Sequence, residues 1–228
     1  MDFFAIISVI LHIFITSKSY NLICNTTRKE QYFFIFYTVI VEFVVEFFFY
    51  SIYLSGLGIE KFLYPFILYA YFIWFKKFDK YRGVFLSFLL SLLYHSTHTF
   101  IAVTLSSITG DELALHYESI FFLVVLLLTY FIIIKISRYF HLEITYFDKD
   151  YLYPFLKKVI VAFFGLHILL FFSDIVSTIH HLNSFGSILS TIVFICLLLI
   201  FFAMNSHKVQ IEKEIALKQK KFEQKHLQ

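Results

Sequence analysis

Long apolar segments follow one another along almost the whole chain and leave few residues for a water-soluble core. A helix needs about 20 residues to cross a hydrocarbon layer about 30 Å thick. Seven segments reach or approach that length: residues 3–23, 32–54, 60–75, 84–106, 119–137, 159–179 and 186–204. Because 60% of the 228 residues are hydrophobic and the mean hydropathy is +0.79, the sequence predicts an all-α, polytopic bundle of seven transmembrane helices.

The first and third segments are the weakest of the seven. The first has no basic n-region and no small-residue cleavage site, so we interpret it as an uncleaved span rather than a signal peptide. The third contains Pro65 and only fourteen uncharged residues, Phe62 to Phe75. Deleting the third span would move the basic cluster 76–82 to the other side of the membrane, so it is retained. Deleting the first span would move no later loop to the other side of the membrane, so a topology of six spans remains an alternative.

Basic residues predict the direction of the chain. With the N-terminus outside and the C-terminus in the cytoplasm, all of the 19 Lys and Arg residues except Lys61 fall on the cytoplasmic side. This distribution is the one that the positive-inside rule expects of a multi-pass protein. The outer side then carries Asp2, Glu60, Asp111, Glu112, Glu118 and Asp174. That acidity follows from the exclusion of Lys and Arg, or it attracts a cationic ligand from outside.

Acidic and histidine residues inside two predicted spans form the main candidate site. Glu42 and Glu46 lie one helical turn apart in the second span, and His95 and His98 share a face of the fourth. Because a charged side chain is costly within the hydrocarbon region, such residues usually face the bundle interior and have partners. We therefore expect the two carboxylates to pair with the two imidazoles.

Three interpretations of this network remain open. It stabilises the helix bundle through hydrogen bonds alone, or it lines the floor of an outward-facing ligand cavity. Alternatively, Glu42, Glu46, His95 and His98 bind a metal in an intramembrane hydrolase or a transporter. The sequence lacks the H-E-x-x-H motif that would favour the last interpretation. No metal or other cofactor is expected in this chain.

Two predicted outer connections, residues 106–119 and 173–187, contain histidines and carboxylates among apolar residues. Each is consistent with a short interfacial helix. Since binding residues often lie on loops that a rigid scaffold positions, these connections are also candidates for ligand contact. His180 and His181 are candidates for a pH-sensitive contact there.

The chain divides into a transmembrane domain, residues 1–204, and a polar segment, residues 205–228. No Pro or Gly separates the seventh span from this segment, so we expect one helix to continue into the cytoplasm. A broken heptad seam runs along it through Met204, Ile211, Ile215 and Phe222. The segment is interpreted either as a basic stretch that attracts anionic lipid or as a signalling helix that begins a parallel homodimer.

Five stretches of the sequence resemble one family of bacterial receptors: "GLGIEKFLYP", "LSSITGD", "YFHLEITYFDKDYLYPFLKK", "IHHLNSFGSIL" and "FFAMNSHKVQIEKEIALKQKKFEQKHLQ". They are similar to the peptide-pheromone receptor histidine kinases of quorum sensing, of the ComD type, which detect a competence pheromone. The resemblance runs through the chain and is most specific in its last ninety or so residues.

This resemblance implies a plasma-membrane receptor for a secreted, cationic, amphipathic peptide. It also implies a homodimer that belongs to a two-component system, with a kinase core that uses ATP and Mg²⁺ and passes a phosphoryl group to a response regulator. No kinase motif occurs up to Gln228, so we expect this chain to be the catalytically inert sensor part of a longer protein, with no nucleic-acid partner. The expected peptide contacts are Asp111, Glu112, Glu118, Glu60 and Asp174, then Glu46, His95, His98 and His180.

Overall fold

The computed structural model describes residues 3–51, 59–109, 118–140, 153–180 and 183–226. Within these ranges the chain forms seven α-helices and no strand. The helices are α1 (Phe3–Cys24), α2 (Arg28–Ser51), α3 (Ile59–Trp74), α4 (Lys80–Thr109), α5 (Glu118–Tyr139), α6 (Tyr153–His180) and α7 (Asn183–His226). The prediction of an all-α chain is therefore confirmed for the described residues.

Three helices contain stretches that are long and apolar enough to cross a membrane. These stretches are Lys80–Ile108 in α4, Phe155–Ser173 in α6 and Gly186–Phe222 in α7. In addition, α3 has a shorter apolar stretch, Phe62–Trp74. Helices of this length and hydropathy support the predicted membrane location.

Helix α4 lies at the centre of the bundle. It packs against α1, α3, α5, α6 and α7, and 78% of its most apolar stretch is buried inside the protein. The corresponding stretches of α6 and α7 are only 33% buried, so these two helices leave large apolar surfaces for lipid. The central position of α4 keeps its residues Ser87, Ser91, His95, Ser96 and Thr97 away from hydrocarbon.

The turn between α1 and α2 has a local explanation in the sequence. Asn25 adopts a left-handed conformation with φ of 47°, which asparagine tolerates better than most residues, and its N–H donates to the carbonyl of Asn21 at 2.8 Å. Thr27 then caps α2. Its backbone N–H donates to the carboxylate of Glu30 at 2.9 Å, and the Glu30 N–H donates to the Thr27 hydroxyl at 3.4 Å. This reciprocal arrangement is a capping box.

The turn between α3 and α4 has the same two features, a residue with positive φ and a side chain that caps the next helix. Lys77, three residues after the end of α3, has φ of 53°, and the Phe75 N–H donates to the carbonyl of Tyr71 at 3.0 Å. Asp79 caps α4, because its carboxylate accepts hydrogen bonds from the N–H groups of Tyr81 and Arg82 at 2.9 and 3.2 Å. Short turns of this kind favour antiparallel packing of the two helices that they connect.

Contacts between distant residues bring several of the basic clusters together at one end of the bundle. The ammonium of Lys76 pairs with Glu30 and thereby joins the two turns. Lys157, in the first turns of α6, lies over the ring of Tyr81 at 5.1 Å from its centroid.

The end of the membrane stretch of α7 reaches the same region. Phe155, near the start of α6, stacks on His207 of α7 with 4.1 Å between ring centroids. The polar part of α7 therefore leaves the bundle at the end where Glu30 and Lys76 pair.

Two glycines provide a matched pair of stability predictions. A methyl group at Gly165 of α6 would meet no atom within 4 Å, whereas one at Gly83 of α4 would lie 2.9 Å from Cδ1 of Ile73 and 3.2 Å from Cε2 of Tyr69. Gly165→Ala should raise the free energy of unfolding by about 0.5 to 1 kcal/mol, because alanine is the better helix former. The gain from Gly83→Ala should be smaller or reversed, and Gly83→Val should be destabilising.

The measurement is unfolding in mixed micelles by titration with sodium dodecyl sulfate, followed by circular dichroism. A Gly83→Val variant that is as stable as Gly165→Ala would contradict the close approach of α3 and α4.

Candidate functional site

The central helix α4 carries several polar residues in the interior of the bundle. Its buried polar residues are Ser87, Ser91, His95, Ser96 and Thr97. The hydroxyls of Ser91 and Thr97 have no hydrogen-bond partner in the part of the chain that the structure describes. Buried polar groups are costly unless they are satisfied, so a polar ligand group or bound water beside either hydroxyl would be stabilised.

Five rings from three helices meet on one face of α4. We call this group the histidine–tyrosine cluster; it consists of His12 of α1, Tyr64 of α3, and Tyr94, His95 and His98 of α4. His12 lies 4.0 Å from Tyr94, 5.0 Å from Tyr64 and 5.7 Å from His95 between ring centroids. Tyr64 and His95 meet edge to face at 5.6 Å, and Tyr94 stacks on His98 at 5.7 Å. The cluster thus joins α1, α3 and α4.

His95 and His98 both contact Tyr94, and the structure places His12 and Tyr64 in the same cluster. Sequence reasoning missed both residues. A signal for His12 existed, since a histidine within a predicted span is costly and normally has a polar partner. Tyr64 carried no such signal, because the chain has 16 tyrosines and only packing distinguishes the one that contacts His95.

Imidazole and phenol groups give this site a definite chemistry. A neutral imidazole both donates and accepts a hydrogen bond, and a phenol does the same. Their ring faces also attract cations. The cluster is therefore suited to hold a polar or cationic ligand group, or to bridge helices.

The predicted partners Glu42 and Glu46 lie on α2, whose backbone the structure describes. Their side chains lie outside the described part, so the expected carboxylate–imidazole pairs remain a prediction. Helix α2 packs against α1 and α3, the two helices that contribute His12 and Tyr64. This arrangement brings α2 beside the helices that form the cluster.

The predicted outer contacts are placed only in part. Asp111 and Glu112 lie outside the described residues. Glu60 is the second residue of α3, and Glu118 the first residue of α5. Asp174 and His180 lie in the last turns of α6. The side chains of these four residues are also outside the described part, so their role in binding stays a prediction.

The described residues provide no set of ligands for the metal site that was the third interpretation. Within that part of the chain, no group of three or more His, Cys, Asp and Glu side chains converges as metal ligands would. His12, His95 and His98 are instead grouped by their ring contacts with Tyr94. The side chains of Glu42 and Glu46 lie outside the described part, so the four-residue metal site stays an untested alternative.

A ring stack connects the central helix to the last helix. Phe100, two residues beyond His98, stacks on Phe194 of α7 at 4.4 Å with an interplanar angle of 13°. Both rings belong to the packed interior of the bundle. A displacement of α4 near the histidine–tyrosine cluster would therefore act directly on α7.

A hydrogen-bonded serine pair joins α6 to α7. The hydroxyl of Ser173 donates to the carbonyl of Gly186 at 2.8 Å and lies 2.9 Å from the hydroxyl of Ser190. Small residues and hydroxyls of this kind allow close contact between helices in a membrane.

A second buried histidine ties α6 to α3. Nε2 of His167 lies 3.1 Å from the carbonyl oxygen of Phe62. The His167 ring also stacks on the Phe62 ring at 5.6 Å. This contact has the character of a helix-to-helix link, which no pattern in the sequence indicated.

The predicted seam of the tail divides into two parts. Met204 is only 4% exposed and belongs to the core of its own chain. Ile211 and Ile215 are half-buried, and Phe222 is 65% exposed. The part of the seam that its own chain leaves accessible therefore begins at Ile211.

Comparisons with protein-family models, with curated protein sequences and with solved structures find no match to this chain.

Proposed function

We propose that this chain is the membrane sensor of a receptor that binds a secreted cationic peptide and transmits the binding event through α7. The single observation that carries the proposal is the continuity of α7. One helix of 44 residues, Asn183–His226, contains both buried residues of the bundle and an exposed polar segment. Such a helix moves as a unit, so a shift in the bundle reaches the segment outside it.

Contacts between α4 and α7 give this transmission a physical basis. The histidine–tyrosine cluster lies on α4, and the Phe100–Phe194 stack joins α4 to α7 close to it. A ligand that binds one arrangement of the cluster better than another would change the population of the two arrangements. The free energy that couples peptide binding to the position of the tail equals the difference between the peptide's binding free energies for the two arrangements.

The proposal includes seven spans, with the N-terminus outside and the C-terminus in the cytoplasm of a bacterial cell. It is supported by the grouping of Glu30, Lys76, Lys157 and His207 at one end of the bundle and by the positive-inside rule. The homodimer, the kinase core and the response regulator rest on the resemblance to ComD-type receptors. The acidic outer residues predicted from the sequence would attract the cationic peptide.

The experiment that tests this function is a binding titration with the chain in lipid nanodiscs. The ligands are synthetic copies of the short peptides found in the culture medium of the source cells, each with a scrambled version as its control. One peptide should bind more tightly than its scrambled version. Asp111→Asn combined with Glu112→Gln should weaken that binding about three- to ten-fold, because two attractive charges are lost.

A matched control removes two carboxylates from the exposed tail, Glu212→Gln with Glu214→Gln, and should leave binding unchanged. Raising the salt concentration should weaken binding to the unmodified chain. Failure of every peptide to exceed its scrambled version would reject the receptor function. Stoichiometric zinc or manganese that is lost in His95→Ala would instead favour the metalloenzyme or transporter.

A further inference from the structure

A groove lies between α2 and α3 at the end of the bundle where Glu30 pairs with Lys76. Its volume is about 480 Å³, within the range of roughly 300 to 1,000 Å³ that is common for small-molecule sites. Its lining is Lys29, Glu30, Tyr32, Phe33, Phe36, Tyr71, Phe75 and Lys76. The groove is distinct from the histidine–tyrosine cluster, with which it shares no residue.

Aromatic rings form the apolar part of the groove. Phe33 and Phe75 meet at 5.2 Å between ring centroids, and Tyr71 lies 5.9 Å from Phe75. Tyr37 fixes the spacing of the two helices, because its hydroxyl donates to the carbonyl of Ile67 at 2.9 Å. The groove is therefore held open by a direct bond between α2 and α3.

Several lining rings are exposed although they are apolar. Phe33, Phe36 and Phe75 are 44%, 63% and 49% exposed. Tyr32 of the lining and the adjacent Trp74 are 71% and 72% exposed, and tyrosine and tryptophan are typical of the boundary between hydrocarbon and headgroups. The walls of the groove are thus suited to an acyl chain rather than to water.

The mouth of the groove carries a positive charge. Lys29 and Lys76 line it, and Arg28 and Lys77 are their neighbours in the chain. Glu30 is the one carboxylate in the lining, and it is bonded to Lys76 and to the N–H of Thr27. These two bonds hold the pKa of the Glu30 carboxyl below its usual range, so it stays ionised and paired with Lys76. A positive surplus remains for an anionic group.

From these observations we infer that the α2–α3 groove binds one anionic phospholipid of the surrounding membrane. Lys29 meets the lipid phosphate, and an acyl chain lies along Phe33, Phe36 and Phe75. Basic pockets between helices at a membrane surface bind anionic headgroups by the same combination of charge and apolar contact. The inference requires only a membrane location and is independent of the proposed receptor function.

The protein contains its own reporter for this site. Trp74, the single tryptophan of the chain, is 72% exposed and directly precedes Phe75 of the groove. The full chain is reconstituted in phosphatidylcholine liposomes that contain increasing fractions of brominated phosphatidylglycerol or brominated phosphatidylcholine. Bromine quenches tryptophan fluorescence at short range, so an anionic lipid in the groove should quench Trp74 more strongly than the zwitterionic one and should saturate at a low fraction.

Four variants, one of them a control, separate a bound lipid from a general attraction of anionic lipids. Lys29→Gln should weaken the apparent affinity for the brominated phosphatidylglycerol about five-fold, since one basic contact is lost. Phe33→Ala retains every charge but removes one of the aromatic rings that line the groove. It should abolish the saturable preference for the anionic lipid. Phe36→Ala serves as a second wall variant if Phe33→Ala fails to fold by circular dichroism. Lys221→Gln, in the exposed tail, is the control and should change nothing.

Equal quenching by the two brominated lipids would overturn the inference. So would a preference that both wall variants leave intact, because that result indicates diffuse electrostatic attraction. Competition by inorganic phosphate at millimolar concentration would mean that the site binds a free anion rather than a lipid. Phosphate should therefore have no effect beyond that of an equal ionic strength of chloride.

Discussion

Replacing Phe201 by alanine is expected to lower the free energy of unfolding by about 3 kcal/mol. The Phe201 side chain of α7 is fully buried. Its ring lies 5.7 Å from that of Phe140, after the end of α5, and 6.3 Å from that of Phe163 of α6. The expected loss is at the lower end of the range for soluble cores, because lipid is as apolar as phenylalanine and only packing contacts are lost.

Phe202 provides the matched control for this prediction. It is the next residue of the same helix but is 62% exposed, so Phe202→Ala should lower the free energy of unfolding by less than about 1 kcal/mol. Unfolding of both variants by sodium dodecyl sulfate in mixed micelles measures the difference. Equal losses would show that α7 is rotated about its axis relative to the packing described here.

The second large effect is expected where α7 leaves the bundle. Spin labels at Leu199 and Leu217, both exposed, should give one narrow distance distribution in pulsed electron paramagnetic resonance. An unbroken helix places the two backbone positions about 27 Å apart. Asn205→Pro should broaden this distribution and shift it to shorter distances, because proline removes a helical hydrogen bond and its ring clashes with the preceding turn at a cost of about 3 kcal/mol or more.

Asn205→Ala is the control and should preserve the narrow distribution, since alanine favours the helix. Labelling requires that Cys24 and Cys196, both free thiols, are first replaced by alanine. A broad distribution in the chain that retains Asn205 would contradict the continuity of α7. The proposed transmission of a signal through this helix would then lose its main support.

The helices themselves could be predicted from sequence because each depends on a local property. The apolar segments coincide closely with the described helices, and the absence of Pro and Gly predicted the extension of α7 beyond residue 204. The turns are also local. Asn25 and Lys77 adopt left-handed conformations, while Thr27 and Asp79 supply the capping oxygens. In each case the bonded groups lie within a few residues of one another.

The candidate site could be predicted only in part. His95 and His98 stood out because histidines are costly inside a predicted span, and the helical period placed them on one face. Their neighbours His12 and Tyr64 come from helices α1 and α3. Helical period within a single segment carries no information about which segments become neighbours. The expected partners Glu42 and Glu46 remain a prediction for the same reason.

The sequence by itself determined where helices form, where they end and that the chain suits a membrane, because hydropathy, capping and backbone preferences act over a few residues. Only the tertiary structure decided that α4 is the central helix, that the histidine–tyrosine cluster joins three helices, and that a groove with a basic mouth opens between α2 and α3. Within a membrane almost every helix surface is apolar. The choice of neighbours therefore depends on side-chain shape and a few polar contacts, which become visible only when the helices are packed.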